Sequence, residues 1–185
     1  MKKFIYFIFF TILLIATIIA TYKISKSQSS GAPVLKEGET DTAFFKDKIE
    51  IPKFTLTDLY ANDKIFTKKD LTGKYSIINF FASWCTTCLE EHEILLRLKE
   101  EGVIDIYGIV WKDAEANARE YLEQYGNPFT RVLNDEEGIL SRITDIKAIP
   151  ETWIIDKKGN IVMRYRGNLQ EFSVTEIKNF LKKNK

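Results

Sequence analysis

The sequence is poor in the residue types that bind metals or build disulfide frameworks, with only two cysteines and one histidine in 185 residues. One Cys-x-x-Cys pair and His92 fall short of the four ligands of a structural zinc site. No excess charge of either sign is present, because 27 basic residues face 26 acidic ones. This balance excludes the basic footprint of a nucleic-acid-binding protein. We therefore expect no metal, no organic cofactor and no nucleic-acid partner.

Charge is also absent from a long segment near the N-terminus. Lys2 and Lys3 precede residues 4–22, which carry no charge and are long enough as a helix to cross about 30 Å of hydrocarbon. Basic residues before such a segment favour a cytoplasmic N-terminus. A cleaved secretory signal is the alternative; both interpretations export the rest of the chain. The sequence predicts an anchor at 1–24, a polar linker at 25–41 and one domain at 42–185.

The two cysteines, Cys85 and Cys88, lie three residues apart after an apolar run at 75–81. Two cysteines in an exported protein usually form one structural disulfide. A bridge that closes so short a loop would constrain the unfolded chain little. The spacing therefore favours a redox-active pair over a structural one.

The rest of the sequence alternates between strand and helix patterns. Residues 75–81 are almost continuously apolar, as expected for a strand covered on both faces. From residue 75 onward, the order β-α-β-α-β-α-β-β-α predicts an α/β domain with a mixed central sheet and helices on both faces. The predicted strands are 51–59, 75–81, 103–110, 130–133, 152–155 and 161–166; the predicted helices are 86–101, 114–125, 136–143 and a last one from Ser173, with Ser173 and Glu176 as a capping box.

The position of the cysteines in this pattern predicts their roles. Cys85 is expected at or just before the first turn of helix 86–101, where free N–H groups and the helix dipole favour the thiolate. Cys88 is expected on the same face, one turn deeper. We interpret Cys85 as the exposed nucleophile and Cys88 as the less accessible thiol that resolves the mixed disulfide.

Several neighbouring residues have two interpretations on local sequence. Glu91, one turn past Cys88, is either a proton relay or a solvated surface residue. Trp84 is either part of a docking surface or a core aromatic. Pro150 is either an edge marker or a cis-proline that leaves the preceding backbone free to pair with an extended substrate. We interpret His92 as a surface or partly packed residue, not as a base.

Residues 80–88, Phe-Phe-Ala-Ser-Trp-Cys-Thr-Thr-Cys, resemble the active site of the thioredoxin superfamily. Further blocks are similar to the CcmG or DsbE group, the membrane-tethered thioredoxin-like proteins of cytochrome c maturation. These blocks are 52–56, the C-x-x-E-H of 88–92, the aromatic-Lys-Asp of 111–113, the Gly-Asn-Pro-aromatic of 126–129 and the P-E-T-aromatic-x-I-D of 150–156.

The resemblance implies a thioredoxin-like α/β fold with a mixed central sheet flanked by helices, an N-terminal extension and a β/α insertion before a cis-proline. Asn79 stands where ordinary thioredoxins have a buried acid, and we hypothesise that two glutamates take over its proton handling. The implied site residues are the attacking Cys85 and the resolving Cys88 of a redox-active disulfide, the proton-handling Glu91 and Glu151 by the dithiol, and a substrate groove of Trp84, Ile149 and Pro150.

Two departures from the family pattern affect the expected substrate. Thr86 stands where the family commonly has proline, which can alter the potential and the rigidity of the loop. Lys147, Ala148 and Ile149 replace a small, Gly-containing run before the cis-proline. Because Ile149 would line the groove, partner choice can differ from that of the family.

The resemblance predicts a thiol:disulfide oxidoreductase that works as a reductant. It would keep the haem-attachment cysteines of apocytochrome c reduced, directly or through a CcmH-like thiol partner, with electrons from a membrane thiol reductase of the DsbD or CcdA type. It would lie in the bacterial inner membrane as a single-pass protein with its domain facing the periplasm. The alternatives are a general exported oxidoreductase of the TlpA/ResA type and a non-catalytic apocytochrome-binding module whose cysteines form a structural bridge.

Overall fold

The structure is a computed structural model that describes residues 41–61 and 63–184. The predicted anchor at 1–24, and the predicted linker except for its last residue, lie outside these residues. Within the described part of the chain, no helix has the length and apolar character needed to cross a membrane.

The described residues form eight strands, four α-helices and one short 3-10 helix at Lys68–Leu71. The strands are β1 (Asp41–Glu50), β2 (Thr55–Asp58), β3 (Ile65–Thr67), β4 (Ser76–Phe81), β5 (Asp105–Trp111), β6 (Arg131–Asp135), β7 (Glu151–Ile155) and β8 (Asn160–Arg166). The helices are α1 (Thr86–Glu100), α2 (Glu115–Tyr125), α3 (Ile139–Ile143) and α4 (Glu171–Lys183).

These strands form a single mixed sheet in the order β1-β8-β7-β4-β5-β6-β2-β3. The central strands β4, β5 and β6 are parallel, and the other neighbours are antiparallel. Parallel neighbours need crossover connections, which are right-handed in nearly all proteins. Since β4-α1-β5 and β5-α2-β6 advance across the sheet in the same direction, α1 and α2 cover the same face.

The core lies on both sides of β4, because alternate side chains of a strand point to opposite faces. Ile77 and Phe81 belong to a cluster that includes buried residues of α1, α2 and α4. Ile78 and Phe80 belong to a second cluster on the other face, where Leu140 of α3 packs. All six residues of β4 are buried, which confirms the prediction of a strand covered on both faces.

This arrangement confirms the predicted thioredoxin-like α/β fold, with a mixed sheet flanked by helices. The inserted unit is α2 followed by β6, between β5 and the Ile149–Pro150 peptide bond. It adds one more parallel strand to the sheet and a third helix to the face that carries α1 and α4.

Three sequence-based expectations need correction. Strands β1 and β3 were not predicted, and Asp41, assigned to the linker, is the first residue of β1. Helix α4 begins at Glu171, so the predicted capping box of Ser173 and Glu176 is wrong. Because the helix begins two residues before Ser173, Gln170 is the N-cap, and the Ser173 hydroxyl accepts a hydrogen bond from the Gln170 backbone N–H at 3.2 Å in the capping box. The Glu176 carboxylate instead accepts a hydrogen bond from the Tyr165 hydroxyl.

Candidate active site

The dithiol lies where the central strand β4 passes into helix α1. Cys85 is the N-cap residue of α1, and its Sγ accepts a hydrogen bond from the backbone N–H of Cys88 at 3.1 Å. The two cysteines form a disulfide with a Cα–Cα distance of 5.3 Å. The position confirms the sequence prediction for Cys85. A thiolate formed there on reduction would meet free N–H groups and the positive end of the helix dipole.

Both sulfur-bearing residues are shielded, but not equally. Cys85 is 6% exposed and Cys88 is 2% exposed. Cys85 is therefore buried and not exposed as predicted, although it is the more accessible of the two cysteines, as an attacking thiol requires. The two threonines between them are exposed, and the Thr87 hydroxyl lies 3.5 Å from the Cys85 sulfur.

The loop after β5 fixes the turn that leads to Cys85. The buried carboxylate of Asp113 accepts a hydrogen bond from the backbone N–H of Ser83 at 2.7 Å. The Trp84 indole N–H donates to the carbonyl oxygen of Lys112 at 3.4 Å. The family resemblance alone assigns no roles to the residues of the aromatic-Lys-Asp block at 111–113. The structure gives it one, since Lys112 and Asp113 hold the residues immediately before the dithiol.

Trp84 lies at the surface beside the disulfide. It is 55% exposed, so the interpretation as a core aromatic is wrong. Its ring centroid lies 5.9 Å from that of Trp111, and the Lys112 ammonium lies 4.7 Å from the Trp111 ring. Trp84 is therefore an exposed aromatic ring beside buried Trp111, with a positive charge nearby.

Glu91 lies on α1, one turn beyond Cys88, and is completely buried. The interpretation as a solvated surface residue is therefore wrong. Its carboxylate accepts hydrogen bonds from the Leu169 backbone N–H and from Asn79 Nδ2, both at 2.6 Å. Burial raises the pKa of Glu91 from its ordinary value of 4.5 to about 7, although these two hydrogen bonds act to lower it. The group can therefore bind or release a proton near neutral pH.

Asn79 connects this acid to the sheet. It projects from β4 to the face that carries α1, and it is fully buried. Its Nδ2 donates both to Glu91 and to the Thr152 hydroxyl, the second at 2.9 Å. Thr152 lies directly opposite Asn79 in the β4–β7 pairing. Sequence reasoning identified Asn79 but missed Thr152 and Leu169, because only strand register and chain folding bring them to Glu91.

The second predicted acid lies on the other face of the sheet. Glu151 is buried, and its Oε1 accepts hydrogen bonds from Trp153 Nε1 at 2.7 Å and from Arg164 Nε at 2.6 Å. It also forms an ion pair with Arg164. Since Trp153 belongs to the cluster opposite α1, the structure separates the two acids by the thickness of the sheet.

The Ile149–Pro150 peptide bond is cis, which confirms the expectation from the family resemblance. Glu151 pairs with Phe80, so Pro150 lies level with the end of β4 that leads to the dithiol. The Pro150 carbonyl oxygen accepts a hydrogen bond from Gly167 N–H at 3.0 Å. Pro150 is buried, and half-buried Ile149 packs against both core clusters.

His92 is buried inside the domain, so the surface alternative of its interpretation is wrong. It is 3% exposed, its Nε2 lies 2.9 Å from the Gly126 carbonyl oxygen, and its Nδ1 lies 3.3 Å from the Tyr121 hydroxyl. The carbonyl oxygen can only accept, so Nε2 carries the proton and Nδ1 accepts from Tyr121. Burial lowers the pKa of His92, which favours the neutral ring.

Within residues 41–61 and 63–184, no group of three or more histidine, cysteine or acidic side chains is arranged to hold a metal ion. Two concavities lie away from the dithiol: one of about 570 Å³ between Lys74, Lys99 and Lys178, and one of about 630 Å³ between Phe54, Ile65 and Lys69.

Comparison with known proteins places these features in a family. Residues 46–181 match the Redoxin family. The chain is 40% identical over 120 residues to the thiol:disulfide interchange protein DsbE of Pseudomonas fluorescens biotype C, a match that covers 65% of this chain and 66%, slightly less than two thirds, of that protein. It is 38% identical over 128 residues to the thiol:disulfide interchange protein HelX of Rhodobacter capsulatus, covering 69% of this chain and 72% of that protein.

A solved structure agrees with the fold. The secreted thiol-disulfide isomerase of Corynebacterium glutamicum superposes with a TM-score of 0.68 at 19% identity, covering 82% of this chain and 95% of that one. The expected resemblance to DsbE-type proteins is thus confirmed, and the Cys-x-x-Cys pair in a thioredoxin-like fold is the arrangement of a thiol:disulfide oxidoreductase.

Proposed function

Since this chain belongs to the Redoxin family, we propose that it is an exported thiol:disulfide oxidoreductase that acts as a reductant in cytochrome c maturation. The observation that carries the proposal is the Cys85–Cys88 disulfide at the N-terminus of α1. The names of the relatives, DsbE and HelX thiol:disulfide interchange proteins, support it.

The first step uses the more accessible thiol. In the reduced protein, the Cys85 thiolate attacks one sulfur of a target disulfide. A bond forms between Cys85 and that sulfur, the target S–S bond breaks, and the released target sulfur leaves as a thiolate that takes a proton from water. The product is a mixed disulfide, with the helix N-terminus beside the Cys85 sulfur.

The second step uses the deeper thiol and the buried acid. Cys88 gives its proton to the Glu91 carboxylate, and the resulting thiolate attacks Cys85 Sγ. The mixed S–S bond breaks and the second target sulfur leaves as a thiolate. The target has gained two electrons, and the protein holds the Cys85–Cys88 disulfide. A pKa of about 7 for Glu91 suits a group that must both accept and release this proton.

Glu151 stays in the proposed site as a second acid. Mutation distinguishes the role of Glu151 from that of Glu91. Glu91→Gln removes a carboxylate on the dithiol side of the sheet, whereas Glu151→Gln disturbs an ion pair on the opposite side. A changed pH profile of thiol exchange in Glu91→Gln alone would assign proton handling to Glu91. An unchanged profile in both variants would contradict that role for both residues.

The proposed substrate groove is formed by Trp84, Ile149 and Pro150. Exposed Trp84 and half-buried Ile149 offer apolar contacts. Lys147, two residues before Ile149, is exposed and forms an ion pair with Asp145 at 2.5 Å. The proposed occupant is apocytochrome c or a CcmH-like thiol partner. A membrane thiol reductase of the DsbD or CcdA type would supply electrons by the same exchange in reverse.

We place the protein in the bacterial inner membrane, with its domain in the periplasm. The uncharged segment at 4–22 after Lys2 and Lys3 supports this localisation. Fractionation of cells that express the full chain would test it. Recovery of the intact protein in the soluble periplasmic fraction would contradict the anchor but not the export.

The direction of electron flow is tested by the reduction potential of the protein in glutathione buffers. We expect a value near that of reducing thioredoxins, about −270 mV, or modestly above it. A value near about −120 mV, that of a strong oxidant, would mean that the pair makes disulfides, and the proposed direction would be wrong.

Substrate choice is tested by trapping. The Cys88→Ser variant should accumulate a mixed disulfide through Cys85 with an oxidised apocytochrome Cys-x-x-Cys-His peptide, and Cys85→Ser should not. Equal turnover of this peptide and of insulin by the unmodified protein would favour a general TlpA/ResA-type oxidoreductase. Partner binding without any trapped disulfide would favour a non-catalytic binding module.

A further inference from the structure

One buried atom beside Glu91 has no hydrogen-bond partner. Asn79 Nδ2 donates to Glu91 Oε1 at 2.6 Å and to Thr152 Oγ1 at 2.9 Å. Asn79 Oδ1 is buried, and within residues 41–61 and 63–184 nothing donates to it. Buried acceptors are almost always satisfied, and an exception calls for an explanation.

The protonation of Glu91 decides which end of this amide must face the carboxyl group. An ionised carboxylate only accepts hydrogen bonds, and here it receives one on each oxygen, from Asn79 and Leu169. A protonated carboxyl group must also donate one. The Leu169 N–H is fixed in the backbone, so the proton belongs on Oε1, where it would face the Asn79 NH2 group. Two donors would then point at each other.

A rotation of the Asn79 amide removes this conflict. The terminal torsion of asparagine is broad and roughly two-fold, so a half turn exchanges Nδ2 and Oδ1 without moving the backbone. Oδ1 would then accept from protonated Glu91. The Thr152 hydroxyl can donate as well as accept, so its bond to Asn79 survives in both orientations. The NH2 group then occupies the buried position at which Oδ1 receives no hydrogen bond.

We propose that Asn79 is a positioning residue for Glu91: its amide donates to the ionised carboxylate and turns to accept from the protonated acid. Both states of the acid then stay hydrogen-bonded in the same place, one turn beyond Cys88 on α1. The role of this amide rotation in catalysis rests on the proposed function, but the test of the rotation does not.

Few other titratable groups on this face of the sheet could be mistaken for Glu91 in a pH titration. They are Cys88 and His92 on α1, Tyr121 on α2, and Tyr165 on β8 with Glu176 of α4 at its hydroxyl. In the oxidised protein the cysteines do not titrate. Burial, and then the charge of Glu91, raises the pKa of Tyr121 to about 12, and burial also raises that of Tyr165. His92 is followed separately through its ring resonances.

The direct test is an NMR titration of the oxidised full chain in detergent micelles from about pH 5 to pH 9, a range that brackets the expected midpoint of Glu91. The Glu91 Cδ shift reports its protonation, and nuclear Overhauser contacts between the Asn79 amide protons and the Thr152 side chain report the amide orientation. We expect these contacts to weaken as the pH falls, with the midpoint of Glu91. Contacts that stay constant while Glu91 titrates would overturn the proposal.

The Glu91→Gln variant gives a second test at one pH. In this variant the Leu169 N–H would donate to the oxygen of the new side-chain amide. The NH2 group of that amide would then face Asn79. At high pH this variant should therefore show the weak Asn79–Thr152 contacts of the unmodified protein at low pH. Strong contacts in the variant would contradict the rotation.

Removal of the Asn79 amide should move the Glu91 midpoint upward by about one pH unit, since hydrogen bonds to a charged group are stronger than those to a neutral one. Asn79→Leu tests this, and Asn79→Ala serves if the leucine does not fit. Asn134→Leu is the matched control, because Asn134 donates to the Glu115 carboxylate at 2.9 Å elsewhere in the domain. A Glu91 midpoint that stays unchanged in the Asn79 variants would overturn the proposal. Loss of reductase activity alone would bear on the proposed function instead.

Discussion

Replacement of Glu91 by glutamine should remove a pH-dependent loss of stability. The carboxyl group is fully buried, and its pKa is raised from 4.5 to about 7 in the folded protein. Between these values the folded state binds more protons than the unfolded state. The free energy of unfolding therefore contains a contribution that is present below pH 4.5 and is lost as the pH rises to about 7.

The size of the effect follows from the pKa difference. At about 1.36 kcal/mol for each pH unit, the raised pKa corresponds to roughly 3 kcal/mol of stability lost across this range. Glutamine cannot ionise, so it escapes this loss. Relative to the unmodified protein, the variant should gain about 3 kcal/mol of stability on going from acid to neutral pH, with most of the gain complete near pH 7.

Urea unfolding of the oxidised proteins at a series of pH values measures this difference. The disulfide stays intact, so neither cysteine titrates. Glu90→Gln is the matched control, because Glu90 precedes Glu91 on α1 but is exposed; it should keep the pH profile of the unmodified protein. If the stability difference between Glu91→Gln and the unmodified protein does not vary with pH, the argument that burial controls this carboxyl group is refuted.

Three further changes test other parts of the structure. Arg164→Met should destabilise the protein by about 3–5 kcal/mol in urea unfolding, because it leaves Glu151 buried without its counter-ion; a loss below about 1 kcal/mol would mean that the pair is solvated. Gly108→Ala should cost about 1–3 kcal/mol, because the new Cβ would lie 2.7 Å from the Phe129 ring; the same loss in a Phe129→Leu background would contradict this cause. Trp84→Ala should change stability by less than about 1 kcal/mol, because Trp84 is exposed, yet lower kcat/KM for a protein disulfide about tenfold. An unchanged kcat/KM would remove Trp84 from the groove.

The strands and helices that sequence reasoning found share a clear local pattern. Strand β4 is continuously apolar and is buried on both faces, and the main helices carry apolar residues at helical spacing. Strand β1 was missed because residues 41–50 mix charged and apolar residues, and an edge strand of this kind is specified by its pairing with β8. Strand β3 has three residues, too few for an alternation to be recognised.

Local sequence also predicted the position of the dithiol. A helix that follows β4 necessarily places Cys85 at its first turn and Cys88 one turn later, because helical geometry fixes the relation between residues three apart. The cis-proline was a different case, since a lone proline before a strand carries a low prior for cis. Only the family resemblance predicted it, and the structure confirmed it.

The sequence by itself thus determined the dithiol, the order of the main elements and the family, because these depend on neighbouring residues and on recognisable blocks. The tertiary structure alone decided the environment of the two acids. Glu91 is buried because Asn79 and Leu169, 12 and 78 residues away, converge on it, and Glu151 lies across the sheet because the register of β7 points it toward Arg164. Burial, pairing register and long-range hydrogen bonds are properties of the packed chain, and they control the protonation of groups that look alike in the sequence.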